Sequence, residues 1–269
     1  MPVHTNIPTF RSMNKAGAYY PDLIQCIGLT VMLFFAQLFS GAPRLLLNSI
    51  HIPAYWLYLA DLVCYSVSFL VVIAIALGRL KKRNTGYTGL KFRRVSPGIS
   101  LVAVIVAACI VIMATPVITV IPMPAFIEHL FNEMSTTNIF MILMTSVAAP
   151  ILEEIFFRGI ILDSLLKAYK PTPALIYSSL LFAIIHFNPW QGIEAFFLGL
   201  FLGWLYLRTR SLLPCIFVHF VNNAGNYLYD LDSLYSKMPA ALLITLAAIL
   251  IYLGVWFIER RTAGCSIES

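Results

Sequence analysis

The sequence predicts an all-α, polytopic membrane protein, a bundle of about eight transmembrane helices with both termini cytoplasmic. Three observations carry this. Of 269 residues, 60% are hydrophobic and 11% charged, and the mean hydropathy is +0.85, outside the range of ordinary soluble domains. Apolar runs near the ~20 residues that cross a bilayer recur along the whole length. The basic residues also segregate into alternate connections, as the positive-inside rule requires.

Taken in order, the expected spans are 22–40, 55–77, 99–121, 139–166, 173–188, 192–208, 212–229 and 240–258. Arg11 and Lys15 precede the first run as they would in a signal sequence. The length of that run, and its lack of a small-residue cleavage site, predict an uncleaved span instead. The connection after the second span carries Arg79, Lys81, Lys82, Arg83, Lys91, Arg93 and Arg94, which places it in the cytoplasm. With Tyr87 and Phe92 it could lie on anionic lipid head groups; topology control alone is the simpler account. Alternation then puts Lys167, Lys170, Arg208, Arg210, Arg260 and Arg261 on the same side. The 122–138 connection, with Glu128 and Glu133 but no Lys or Arg, falls outside. Arg44 and Lys237 are the basic residues left in outside connections. Pro116, Pro122 and Pro124 end the third span, and Met238-Pro239 begins the last. No internal repeat or second domain is visible, so residues 1–269 read as a single integral membrane domain.

Several function classes drop out. The net charge of +6 concerns topology and lipid, not nucleic acid. No Walker A or GxGxxG pattern supports a nucleotide. Cys26, Cys64, Cys109, Cys215 and Cys265 contain no CxxC pair, hence neither a disulfide framework nor a thiolate zinc site.

The chemistry concentrates around Glu153-Glu154-Ile155-Phe156-Phe157-Arg158-Gly159. A charge at hydrocarbon depth is costly and marks a functional site by default. Glu154 and Arg158, four apart in the favourable order, read as an ion pair on one helix face. Glu153, about 100° round the helix, then has no partner in its own segment and needs one elsewhere. Phe182 and His186 share a face of the fifth span, and His219 and Asn223 share a face of the seventh. Singly, the histidine reads as packing and the asparagines as interhelical glue. Their depths coincide, however. At 1.5 Å per residue, Glu153 lies about 21 Å from the boundary near Lys167, His186 about 20 Å into its span, and His219 and Asn223 about 10 and 16 Å into theirs. A water-filled cavity shared between the cytoplasmic third and the midplane is the expectation.

A carboxylate, two imidazoles and an amide suit water activation. Glu153 would be the general base, with histidine and Asn223 stabilising an oxyanion. A zinc site of His186, His219 and Glu153 with water in the open position is the other chemistry open to these residues. No HExxH, GxSG or GxGD motif points to a zincin, rhomboid-like or presenilin-like site.

Together, EExxxR (Glu153, Glu154, Arg158), FxxxH (Phe182, His186) and HxxxN (His219, Asn223), in that order on successive spans, resemble the CPBP family: the type II CAAX prenyl endopeptidases and their bacteriocin-processing and bacteriocin-immunity relatives. The resemblance covers about residues 139–229, expected to form the catalytic core. It implies an intramembrane endopeptidase acting on a peptide or protein substrate in contact with membrane lipid, in a cavity open toward the cytoplasmic side. It implies Glu153 as the water-activating carboxylate, Glu154 as a second required glutamate held by Arg158, and His186 as the group that coordinates or deprotonates the water. His219 and Asn223 would complete the site, with Arg158 and Phe182 as structural support. Family members are described both as zinc enzymes and as metal-independent ones, so zinc stays open. The charge pattern suits a bacterial inner membrane, where processing of a peptide fits better than maturation of prenylated proteins. A non-catalytic scaffold or immunity factor of the same fold is the alternative.

Overall fold

The computed structural model describes residues 19–50, 52–83, 87–125, 138–228 and 231–263. The described residues form helices joined by short connections: α1 (Leu23–Ser40), α2 (Ala42–Ser49), α3 (Ala54–Arg83), α4 (Pro97–Thr119), α5 (Ile139–Ala168), α6 (Pro171–Ile184), α7 (Pro189–Thr209), α8 (Leu212–Gly225), α9 (Leu231–Lys237) and α10 (Ala240–Thr262). The start signals are written locally. Asp22 and Gln25 form a reciprocal capping box at α1. Pro97, Pro171 and Pro189 occupy first-turn positions, where no backbone N–H is missed. The Asn188 and Ser211 side chains accept from the first free N–H groups of α7 and α8.

Among the described residues, six helices are long and apolar enough to cross a membrane: α1 with its extension to Arg44, α3, α4, α5, α7 and α10. This is an integral membrane helical bundle. Two of the about eight expected spans are shorter than the rest. Helices α6 and α8 have 14 residues each, about 21 Å at 1.5 Å per residue, less than a ~30 Å hydrocarbon core. Both end early, at Ile184 and Gly225; Phe182 lies on the first, and His219 and Asn223 on the second. Helix α3 runs on to Arg83, so Lys81, Lys82 and Arg83 sit in its last turn, where cations meet the negative end of the helix dipole. Most of the 122–138 connection, with Glu128 and Glu133, lies outside the described residues.

Close approach lets these helices bury polar side chains. Gly199 and Gly203 present a small-residue stripe on α7 to α6. A Cβ on Gly199 would lie 3.2 Å from Phe182, and one on Gly203 2.8 Å from Leu175 and 3.3 Å from Leu162. Helix α5 is not uniformly wound. Leu143–Ala148 and Ile155–Leu162 are π-helical, on either side of Ala149–Glu154. Pro150 supplies a physical cause for the first: its ring would clash with the carbonyl four residues back, and widening that turn relieves the clash. The two glutamates thus sit on a six-residue α-segment between two widened turns, a placement π-segments often have at functional sites.

Candidate active site

Helix α5 delivers Glu153 and Glu154 to different surroundings. Glu154 is fully buried at 0% exposure and Arg158 at 1%. The Arg158 Nη1 donates to Glu154 Oε1 at 2.8 Å, so the ion pair read from the spacing is present. Arg158 Nη2 also donates to the Gly199 carbonyl at 3.3 Å, and its guanidinium lies 4.5 Å from the Phe182 ring centroid, a cation–π geometry. Glu154 Oε1 takes a second partner, His219 Nδ1 at 2.9 Å. The carboxylate oxygen accepts here, so His219 Nδ1 donates and Nε2 is turned toward Glu153. That nitrogen lies 3.8 Å from Glu153 Oε2, too long for a direct hydrogen bond and suited to a bridging water.

Glu153 finds the outside partner its isolation required. Tyr65, from the middle of α3, donates its hydroxyl to Glu153 Oε1 at 2.8 Å. Sequence reading missed Tyr65, although a phenol in mid-span is an amphipathic group that needs a polar contact when buried. His186 is not on a helix face as expected. It lies in the turn after α6, where its backbone N–H bonds Ala183 and its ring Nδ1 lies 2.8 Å from the Phe182 carbonyl. A carbonyl only accepts, so Nδ1–H donates there and Nε2 is left for other chemistry. Phe182 makes edge contacts with both imidazoles, at 5.0 Å to His186 and 5.8 Å to His219. One ring thus spaces the two histidines and supports Arg158.

Asn223 Nδ2 donates to the Thr145 carbonyl at 2.9 Å, leaving its second N–H uncommitted in that bond. Glu153, His186, His219 and Asn223 all line one cavity of about 770 Å³, together with Tyr65, Thr145, Gln191, Glu194, Asn222 and Asn226. Glu194, on α7, faces Asn222, His186 and His219. It too was missed, although a lone carboxylate in an apolar run is the signal that singled out Glu153. Also unforeseen is Asp163, deep at the other end of α5. It accepts from Lys91 Nζ at 2.7 Å and Tyr206 at 2.9 Å, with Lys167 at 3.4 Å.

Two expectations bear directly on this geometry. Among the described residues, no three His, Cys, Asp or Glu side chains are gathered closely enough to hold a metal ion. As placed, the Glu153, His186 and His219 side chains are not gathered into the candidate zinc set. The cavity also lies away from the end of the bundle that carries the basic residues. Its walls come from the starts of α5 and α7 and the end of α8. Depth along single helices placed the polar groups near the middle but carried no information on which way the space between them opens.

Comparison with known proteins gives a consistent result. Residues 135–225 match the family described as Rce1-like, type II CAAX prenyl endopeptidase. "Putative membrane peptidase YdiL" of Bacillus subtilis (strain 168) is 33% identical over 92 residues, 34% of this chain and 38% of that protein. The chain thus spans well under half the length of that curated relative. No solved structure matches.

Proposed function

We propose that this protein is an intramembrane endopeptidase of a bacterial plasma membrane that hydrolyses peptide bonds with water activated by Glu153. The arrangement that carries the reading is the division of labour between adjacent carboxylates. Glu154, neutralised by Arg158, fixes His219 through Nδ1. Glu153 faces the cavity, held by Tyr65 and 3.8 Å from the free His219 Nε2.

A water bridging Glu153 Oε2 and His219 Nε2 attacks the scissile carbonyl as its proton passes to Glu153. The second N–H of Asn223 donates to the developing oxyanion. Tyr65 keeps the carboxylate pointed at the water. Collapse of the tetrahedral intermediate breaks the C–N bond, and the proton on Glu153 moves to the leaving amine. Water has then supplied OH to the acyl fragment and H to the amine. His186 Nε2, across the Phe182 ring, accepts a hydrogen bond from the leaving amine.

The test is cleavage of an internally quenched peptide library by purified protein in detergent. Glu153→Gln keeps the shape and removes the base, and is expected to lower the rate by about 10²–10⁴-fold with normal folding. Full activity in Glu153→Gln would refute the scheme. A strong zinc chelator on the same sample decides the ion question: activity lost and restored by zinc would overturn the metal-free route. A non-catalytic scaffold predicts no cleavage by any of these proteins.

A further inference from the structure

We infer that the peptidase site takes its substrate from the face of the membrane opposite the basic loops, the exterior of the cell. Its substrates would then be exported or membrane-anchored peptide segments rather than cytosolic protein termini. This rests on the peptidase reading for the word substrate; the direction of the opening rests on the fold and the placement of the basic residues.

Apart from Arg44, Arg158 and Lys237, the described Lys and Arg residues lie toward one end of the bundle. Lys91 and Lys167 converge on Asp163. The Ser211 hydroxyl donates to the Arg93 carbonyl at 2.6 Å. Arg208 Nε donates to Thr262 Oγ1 at 3.1 Å, beside Arg260 and Arg261 in the last turn of α10. Contacts equally fix the opposite end. Trp190 donates to the Ile121 carbonyl at 3.0 Å, the Tyr55 and Phe140 rings are 4.9 Å apart, and Thr145 and Tyr227 share a hydrogen bond at 2.9 Å.

The cavity belongs to this second end. At its mouth, Gln191, Asn226 and Tyr227 are exposed. Between its floor and the basic surface lies a packed layer of Phe156, Phe157, Ile160, Ile161, Leu162 and Leu165, each 0% exposed. A peptide arriving from the basic side would have to part this layer, whereas from the other side it meets open space lined by amides. Those amides can pair with an extended peptide backbone, which would otherwise carry unsatisfied N–H and C=O groups at membrane depth. Lys and Arg concentrate on the cytoplasmic side of a membrane protein, so the mouth faces out. The physical consequence concerns access: cytosolic chain ends do not reach this site.

The test uses a chain with its five cysteines replaced by alanine, carrying Gln191→Cys or, as a control, Lys82→Cys. A charged, membrane-impermeant maleimide is added to intact cells. Labelling of Gln191→Cys at least about tenfold faster than Lys82→Cys is expected, since a charged reagent does not cross hydrocarbon. Preferential labelling of Lys82→Cys would overturn the orientation. The unaltered chain supplies a measurement independent of the cysteine replacements. In sealed right-side-out vesicles, a charged quenched peptide should be cleaved when outside and not when trapped within. Cleavage only of the trapped peptide would overturn the proposal. External labelling without cleavage on either side would remove the peptidase reading, and the substrate with it, while leaving the mouth's direction established.

Discussion

Replacing Arg158 by methionine tests how the site is held. The side chain is 1% exposed and its Glu154 partner 0%, so the substitution leaves a carboxylate in a dry interior. Glu154 Oε2 has no hydrogen-bond partner among the described residues. Both partners of Glu154 meet on Oε1, Arg158 at 2.8 Å and His219 at 2.9 Å, so removing the guanidinium leaves His219 alone against the charge. Breaking a buried pair by removing one member costs about 3–5 kcal/mol. Loss of the Phe182 cation–π contact and the Gly199 hydrogen bond should put Arg158→Met at the upper end of that range. Arg158→Lys keeps the charge but not the planar fork, and should fall in between. The double variant Arg158→Met with Glu154→Gln removes both charges and should recover part of the loss, giving a coupling energy of at least about 1 kcal/mol. The assay is equilibrium unfolding in mixed micelles, followed by tryptophan fluorescence. Arg158→Met within about 1 kcal/mol of the parent would refute the reasoning, because that is the scale of an exposed pair.

Tyr65→Phe removes one hydrogen bond to a charged group, worth about 1.5–3 kcal/mol. We expect roughly a ten- to a hundredfold loss in kcat with KM little changed, and an equal fall in both kcat and protein stability would argue for packing alone. Gly203→Leu drives a side chain into Leu175 and Leu162 and should destabilise by about 1–3 kcal/mol; a neutral result in the same unfolding assay would contradict the close α6–α7 contact. Asp163→Asn removes the charge on which Lys91 and Lys167 converge. It should make the 87–96 connection more open to limited proteolysis while leaving the intrinsic cleavage rate within about threefold, since Asp163 is far from the cavity and a distant site couples weakly. Unchanged proteolysis would show that the connection is held by Ser211 and Leu212 instead.

Much of this protein could be read without its structure because hydrocarbon leaves few solutions. Long apolar runs must become helices to satisfy their own backbone, and α3, α4, α5, α7 and α10 lie where hydropathy placed them. The Glu154–Arg158 pair was legible because an i, i+4 spacing is a local property of a helix. The isolation of Glu153 was legible for the same reason, since nothing on its own helix could serve it. What served it was not. Tyr65 is 88 residues away, and no local rule ties a phenol on α3 to a carboxylate on α5. His186 moved from a helix face into a turn because α6 ends at Ile184, a boundary that apolar residues on both sides conceal. The place of the cavity and the spacing of the side chains that line it were decided only when α5, α7 and α8 packed. Both depend on how side chains from separate helices share space, whereas sequence periodicity records only how each helix faces its own surroundings.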